Sequence, residues 1–341
     1  MKVLVAMSGG VDSSVAAAVL RDAGHEVTGV TLKLWGGESD SGCCSVADVE
    51  DARRVAQQLD LPHYVFNLTE EFDARVVDPY VAAYAAGRTP NPCVECNRTV
   101  KWGLLLERCR TMGFDALATG HHARVARDGA GRAWIARGAD AAKDQSYVLA
   151  VLAGDAVADT LLPIGELTKA EVRARAEALG LRTATKAESM DVCFIRRDER
   201  GTFLRTRVPS SPGPVVGVDG APLGTHDGVV GFTIGQRRGT GVATGERRYV
   251  VDLDVATATV VLGRREDLLR DRIDLVGLRA VHDPIPDGTR VLVQTSAHGS
   301  PVDAVLDGPS VRLAEARPRV APGQVVALYA GDRVVAGAYA A

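Results

Sequence analysis

From residue 1 to about 195, short apolar runs alternate with stretches of helical period, which predicts a parallel sheet with crossover helices. Candidate strands are Lys2 to Ala6, Glu26 to Leu32, His63 to Leu68 and Asp115 to Thr119. Helices are expected over Asp12 to Ala23, Val46 to Leu59, Glu70 to Ala86 and Arg98 to Met112. Each glycine-bearing turn after a strand then falls at the carboxyl edge of the sheet, where open α/β folds bind ligands. A further amphipathic helix, Thr168 through Leu179, is stopped by Gly180. Beyond about residue 200 the pattern changes. Pro209 to Gly245 is rich in glycine and proline with short valine-bearing segments, and Tyr249 to Ala341 reads as brief alternating strands between Asp-Gly, Gly-Asp and Pro-Gly turns. The expected organisation is an α/β domain over 1–200, a small mixed domain over 201–265 and a β-barrel over 266–341.

A chain of 341 residues exceeds the usual size of one hydrophobic core, in keeping with two or three domains. It has no apolar run of the ~18 residues a membrane span needs and no leader pattern before the first strand, so a cytoplasmic protein without a membrane partner is expected. Six cysteines at 43, 44, 93, 96, 109 and 193 are too few and too irregular for a secreted disulfide framework. The net charge of -3 argues against indiscriminate coating of nucleic acid but allows a local basic face.

The first chemistry-bearing segment follows the first strand directly. In Ser8-Gly-Gly-Val-Asp-Ser-Ser14, Ser8, Gly9 and Gly10 let backbone N–H groups approach an anion, while Asp12, Ser13 and Ser14 stand at a helix N-terminus. The lysine of the G-x4-G-K-[ST] loop is missing. The segment resembles instead the PP-loop of ATP pyrophosphatases, which implies cleavage of ATP between the α and β phosphates and transfer of AMP to a substrate oxygen.

Cys93 and Cys96 lie on a proline-stiffened loop, Gly87 to Arg98, expected just before a helix whose dipole favours thiolate. Cys193 stands alone in a later loop. Structural zinc wants four ligands, and no second close pair is present. An iron–sulfur cluster held by Cys93, Cys96 and Cys193 and a two-thiol persulfide relay both fit the spacing.

Taken together, Met7 to Ser14, Gly42-Cys-Cys-Ser45, Arg88-Thr-Pro-Asn-Pro92, Cys96-Asn97, Ala118-Thr-Gly-His121, Lys143-Asp-Gln-Ser-Tyr147, Cys193-Phe-Ile195, Thr233-Ile-Gly-Gln-Arg237 and Pro322-Gly-Gln324 resemble the bacterial tRNA-specific 2-thiouridylases, the MnmA/TrmU family, over essentially the whole chain. The resemblance implies an N-terminal PP-loop ATP pyrophosphatase domain of the adenine nucleotide α-hydrolase-like class, a central tRNA-binding domain and a C-terminal β-barrel. It implies 2-thiolation of the wobble uridine of tRNAs for Lys, Glu and Gln: ATP with Mg2+ adenylates the uracil O2, then sulfur attacks C2. Cys193 would carry a persulfide supplied by a cysteine desulfurase or sulfur-carrier relay. Cys96 would be the nucleophile that attacks it, leaving a transient Cys96–Cys193 disulfide. Ala6, Met7, Ser8, Gly9, Gly10, Val11, Asp12, Ser13, Leu32 and Gly120 would frame ATP. Asn91, Pro92, Cys93, His121, Lys143, Asp144, Gln145 and Gln324 would contact tRNA.

Arginines 196, 197, 200, 205, 207, 237, 238, 247 and 248 concentrate positive charge where the family grips the anticodon stem-loop, supplying phosphate contacts while a flipped uridine supplies selectivity. Two departures from the family stand out. Cys93 replaces an acidic residue assigned an acid/base role, and is open to acid/base or cluster-ligand duty. An Arg-Tyr contact found in some members near Ser296 and Ala297 is missing. Cys43 and Cys44 could relay sulfur or be structural, and Cys109 falls on the apolar side of its helix, as core.

Overall fold

In a computed structural model the described residues are 1–35, 46–187, 192–195, 199–243 and 245–341. Cys43, Cys44, Arg196 and Arg197 lie outside them. The amino-terminal part builds β1 (Lys2–Ala6), α1 (Val11–Asp22), β2 (Glu26–Lys33), α2 (Val46–Gln58) and β3 (His63–Asn67). Then come α3 (Thr69–Phe72) and α4 (Asp78–Ala85), joined by a wider π turn at Asp73–Val77. The second cysteine-bearing helix starts earlier than its apolar period suggests. α5 (Pro92–Glu95) runs into a π-wound segment, Cys96–Leu105, and then α6 (Leu106–Thr111). The reason is local: Pro92 presets the first helical turn and the Asn91 side chain caps it by accepting the Cys93 N–H at 3.0 Å. Cys93 and Cys96 are therefore inside the helix, not on a loop ahead of it.

β4 (Ala116–Thr119) is followed by an antiparallel hairpin, β5 (Ala123–Arg127) and β6 (Ala133–Arg137), then α7 (Gly154–Ala158), β7 (Thr160–Leu161) and α8 (Lys169–Ala178). α8 carries a reciprocal capping box between Thr168 and Glu171. The parallel sheet has the order β3-β2-β1-β4-β7. Alternate side chains of its strands enter two cores: Leu4, Val30 and Leu117 on one face, Val3, Val5, Val27 and Ala118 on the other. β1 pairs with β2 on one side and β4 on the other. The crevice beyond the carboxyl ends of β1 and β4 is thus the place where such a sheet takes a ligand.

α9 (Arg200–Arg205) leads to a four-stranded sheet made of β8 (Gly213–Gly217), β9 (Pro222–His226), β10 (Tyr249–Asp254) and β11 (Thr259–Gly263), with its own core around Val215, Phe232, Val250 and Leu262. Six further strands follow: β12 (Leu269–Ala280), β13 (Arg290–Gln294), β14 (Val302–Asp307), β15 (Ser310–Pro318), β16 (Val325–Ala330) and β17 (Arg333–Ala340). They close through β12–β17 pairing into a six-stranded barrel. The β5–β6 hairpin, not expected from sequence, joins that barrel: Ala136 of β6 pairs with Arg333 of β17. Ala123, Ala133 and Ile135 share one core with Val325, Ala327 and Tyr329 of the barrel.

Candidate active site

β1 ends at Ala6, and the next residues turn sharply into α1. Gly9 has φ +73°, and a Cβ there would collide with the Asp48 carbonyl at the start of α2, so only glycine fits. The turn is tied internally. Ser8 N–H donates to Ser13 Oγ at 3.1 Å, and Ser13 and Ser14 hydroxyls donate back to the Gly10 carbonyl at 3.2 and 2.8 Å. Met7 and Val11 are buried anchors on either side, and Met7 N–H joins Val30 of β2 at 2.8 Å. Leu32, buried near the end of β2, walls the same edge. Gly120, just past β4, lies against the first turn of α1: a Cβ would stand 2.5 Å from Ser13 N. All ten residues expected to frame ATP therefore lie along the carboxyl edge of β1, β2 and β4. The α1 N-terminus and the glycine backbone form an anion cradle.

Three residues that sequence reasoning passed over complete this edge. Lys169, at the start of α8, binds both Asp12 oxygens at 2.7 and 2.8 Å. His122, only 3 % exposed, places Nε2 3.1 Å from Asp12 Oδ1. Burial alone would raise the Asp12 carboxyl, but hydrogen bonds to His122 and Lys169 outweigh it and hold the group below its ordinary value. Lys186 donates to the Gly9 carbonyl at 3.0 Å, to Asp48 at 2.6 Å and to Asp51 at 2.7 Å. Burial disfavours its charge, yet those two carboxylates raise its ammonium above the ordinary value. An ammonium thus sits on each flank of the glycine turn, fixed by carboxylates.

His121 is half-buried beside Trp102, ring centroids 5.5 Å apart, with Nδ1 2.7 Å from Thr119 Oγ1. Burial drives its imidazole well below the ordinary value, so near neutral pH it offers hydrogen bonds and no charge. The Lys143-Asp144-Gln145 turn divides by role. Asp144 points inward, its carboxylate taken by Gly138 N–H, Ser146 N–H, Ser146 Oγ and Arg137. Gln145 clamps His122 through two 2.9 Å bonds, one from its own N–H and one to its side-chain oxygen. Lys143 and Asp144 are half-buried and Gln145 is exposed.

Cys96 belongs to the large core cluster, and half-buried Cys193 packs at its margin. Beside Cys193 stands Phe194, 2 % exposed, whose ring meets Phe72, Tyr80, Trp35 and Phe203 at 5.5–5.8 Å. The two thiol-bearing segments, about a hundred residues apart in sequence, thus pack into one hydrophobic core. Cys93, Cys96, Cys109 and Cys193 form no disulfide. Among the described residues no three His, Cys, Asp or Glu side chains stand close enough to hold a metal ion. The three thiols as placed do not fit an iron–sulfur cluster. Cys109 is core as expected, wholly buried, and burial pushes its thiol up to about 11.

Gln324 is turned toward the cysteine turn, its Nε2 donating to the Thr89 carbonyl at 2.6 Å, and Thr89 N–H bonds Pro322 at 2.7 Å. Tyr339 of β17 donates to Glu95, which also pairs with Arg98 at 2.6 Å. The barrel thereby holds the start of the helix that carries Cys93 and Cys96, at Thr89 just ahead of it and at Glu95 within its first turns. Asn91 and Pro92 are spent on starting that helix. Arg237, Arg238 and Arg247 are exposed on the middle domain, whereas Arg207 stacks on Phe203 at 3.9 Å and Arg248 pairs with Glu246.

A parallel α/β sheet with a glycine-serine anion loop after its first strand and a glycine after its fourth defines an ATP-using domain of the PP-loop class. Three family models match the chain: a tRNA methyl transferase HUP domain over residues 1–197, a tRNA methyl transferase PRC-barrel domain over 201–264 and an aminomethyltransferase beta-barrel domain over 278–339. The chain is 45% identical to the tRNA-specific 2-thiouridylase MnmA of Chloroflexus aggregans, covering 99% of this chain and 98% of that protein. It is 48% identical to the protein of the same name from Kineococcus radiotolerans, with 99% and 98% covered. The chain belongs to the tRNA-specific 2-thiouridylase MnmA family. A 4-thiouridine synthetase–RNA complex with bound ATP aligns at TM-score 0.38 and 18% identity, over 56% of this chain and 44% of that one, a likeness too slight to bear on function. No described helix is long and apolar enough to cross a membrane.

Proposed function

We propose that the protein thiolates the wobble uridine of tRNAs for Lys, Glu and Gln at C2, using ATP with Mg2+ and a cysteine persulfide. The pyrophosphate of ATP occupies the Ser8-Gly9-Gly10 turn and the α1 N-terminus, with Lys169 and Lys186 alongside. The uracil O2 attacks the α phosphorus, the bond to pyrophosphate breaks, and AMP is left on O2 as a leaving group. Cys193 holds a sulfane sulfur delivered by a desulfurase or carrier relay. That sulfur adds to C2 and AMP departs. The Cys96 thiolate then attacks Cys193 Sγ, releasing 2-thiouridine and leaving a disulfide that an external thiol must reduce.

Support comes chiefly from Cys96 lying in, and Cys193 packing against, the same hydrophobic core, since two thiols must meet for the last step. Cys93, at the second position of α5, serves as the local base. Lys143 and the exposed arginines of the middle domain give the phosphate contacts. Anaerobic incubation with wobble-uridine tRNA, ATP-Mg and a persulfide source, read by nucleoside mass spectrometry, tests the scheme. Wild type should form 2-thiouridine, AMP and pyrophosphate, and Cys96→Ser and Cys193→Ser should form none. A Cys193→Ser variant that still thiolates at the wild-type rate from persulfide rules the relay out.

A further inference from the structure

The barrel carries an arginine arrangement that none of the chemistry above uses. β12 and β15 run antiparallel in a register that sets Arg270 opposite Arg317 and Arg272 opposite Arg312. Like charges directly across a strand pair destabilise it unless something neutralises them. A cleft of about 260 Å³ opens beside this pairing, lined by Arg270, Arg272, Arg317 and Arg319 with Asp274 as its only acidic side chain. Arg272, Arg317 and Arg319 reach Asp274, Asp307, Glu315 and Asp252 at 3.0–3.2 Å, and those acids are 49–77 % exposed to water. Arg270 donates only to the backbone carbonyls of Asp267 and Leu269, and exposed Arg312 has no acidic partner among the described residues. No lysine occurs anywhere after residue 186. With arginine in place of lysine throughout, the cations of this surface suit the planar, bidentate recognition of phosphate oxygens.

One wall of the cleft is also tied by hydrogen bonds to the segment that precedes the cysteine helix. The wall residue Ala340 accepts the Gly323 N–H and donates to the Gln324 carbonyl, both at 2.8 Å, and Gln324 holds Thr89. We propose that this cleft binds the sugar–phosphate backbone of the tRNA outside its anticodon loop, beyond the contacts that deliver the uridine. The inference rests on the reading of the protein as a tRNA enzyme. A polyanion fits better than a small anion because the arginines are spread along two strands.

The test compares wild type with R270A/R312A, the pair whose removal strands no carboxylate, in the full chain. Binding of full-length tRNA and of an isolated anticodon stem-loop is followed against salt, with R270K/R312K and thermal melting as folding controls. Each phosphate contact contributes about 0.9 to the slope of log K against log salt. The double alanine variant should bind full-length tRNA more weakly with a slope lower by ~1.8, bind the stem-loop as wild type does, and regain slope in the lysine variant. Equal weakening on both RNAs, no change on either, or displacement of RNA by polyglutamate as readily as by unrelated RNA would overturn the proposal. Wild type that binds no tRNA at all would sink the tRNA reading itself, whereas binding wild type with an unaltered double variant sinks the cleft alone.

Discussion

Gly120→Ala is the substitution on which the nucleotide site makes its sharpest statement. The added Cβ would lie 2.5 Å from Ser13 N, 2.7 Å from the Asp12 carbonyl carbon and 2.8 Å from Ser13 Cα. Ordinary contact begins near 3.4 Å, so the overlap is about 0.6–0.9 Å against three backbone atoms that no rotamer change can move. Either β4 or the first turn of α1 must retreat by that amount. Overpacking of this kind costs about 1–3 kcal/mol, and displacement of a positioned group by ~1 Å costs on the order of 100-fold in rate. The displaced atoms are the N-terminal amides of α1, the donors assigned to pyrophosphate. The expected result is ATP affinity reduced by about 5- to 150-fold, the range that 1–3 kcal/mol spans, with AMP formation slowed further and tRNA binding intact. Calorimetric titration with a non-hydrolysable ATP analogue and a tRNA gel shift measure the two arms. Gly129→Ala, where no atom lies within 4 Å, is the matched control and should behave as wild type. A Gly120→Ala protein that binds ATP and forms AMP normally would refute the assignment of this edge to the nucleotide.

Other consequences can be checked alongside. Lys186→Met leaves Asp48 and Asp51 facing each other across a lost ammonium and should destabilise the α/β domain by ~1–2 kcal/mol near neutral pH, read by urea titration. Because the folded ammonium is held above its unfolded value, this contribution is present below about pH 10.5 and fades as pH rises through the raised folded value, so the two unfolding curves should converge in alkali. Asp12 works in the opposite direction. Its carboxyl is lowered on folding, so its share of stability is present above about pH 4 and lost as pH falls through the folded value, and Asp12→Asn should flatten the acid limb of the stability profile. Tyr339→Phe removes one hydrogen bond to Glu95, about 1 kcal/mol, and should speed iodoacetamide labelling of 7 %-exposed Cys96 by roughly fivefold, while Cys109 stays the slowest thiol. Labelling unchanged from wild type would mean that the barrel does not restrain the cysteine helix.

The nucleotide loop could be read in sequence because its chemistry is contiguous: strand, glycines and helix N-terminus follow within fourteen residues. What escaped came from afar. His122 and Lys169 meet Asp12 across 110 and 157 residues, and Lys186 meets Asp48 across 138. A hint did exist, since the chain has only six lysines, at 2, 33, 101, 143, 169 and 186, and scarcity makes each one informative. The β5–β6 hairpin was missed because its partner strand starts at Arg333, nearly two hundred residues on. Pro92 reads in sequence as part of a stiffened loop, yet beside a capping Asn91 it opens a helix. Gln324 and Asp144, expected at the RNA, also hold backbone groups of this chain, bonds across distant sequence or within a turn that residue type alone does not announce.

The grip of β17 on the cysteine helix sets an order of assembly. Tyr339 follows Glu95 by 244 residues, so at the ~5–20 residues per second of protein synthesis the helix waits about 12–50 s for its last restraint. The residues that frame the glycine turn, by contrast, are all made by Lys186. A nascent chain therefore completes its glycine turn before the cysteine helix is fastened, and on the proposed mechanism the step that creates an activated carbonyl matures ahead of the step that consumes it.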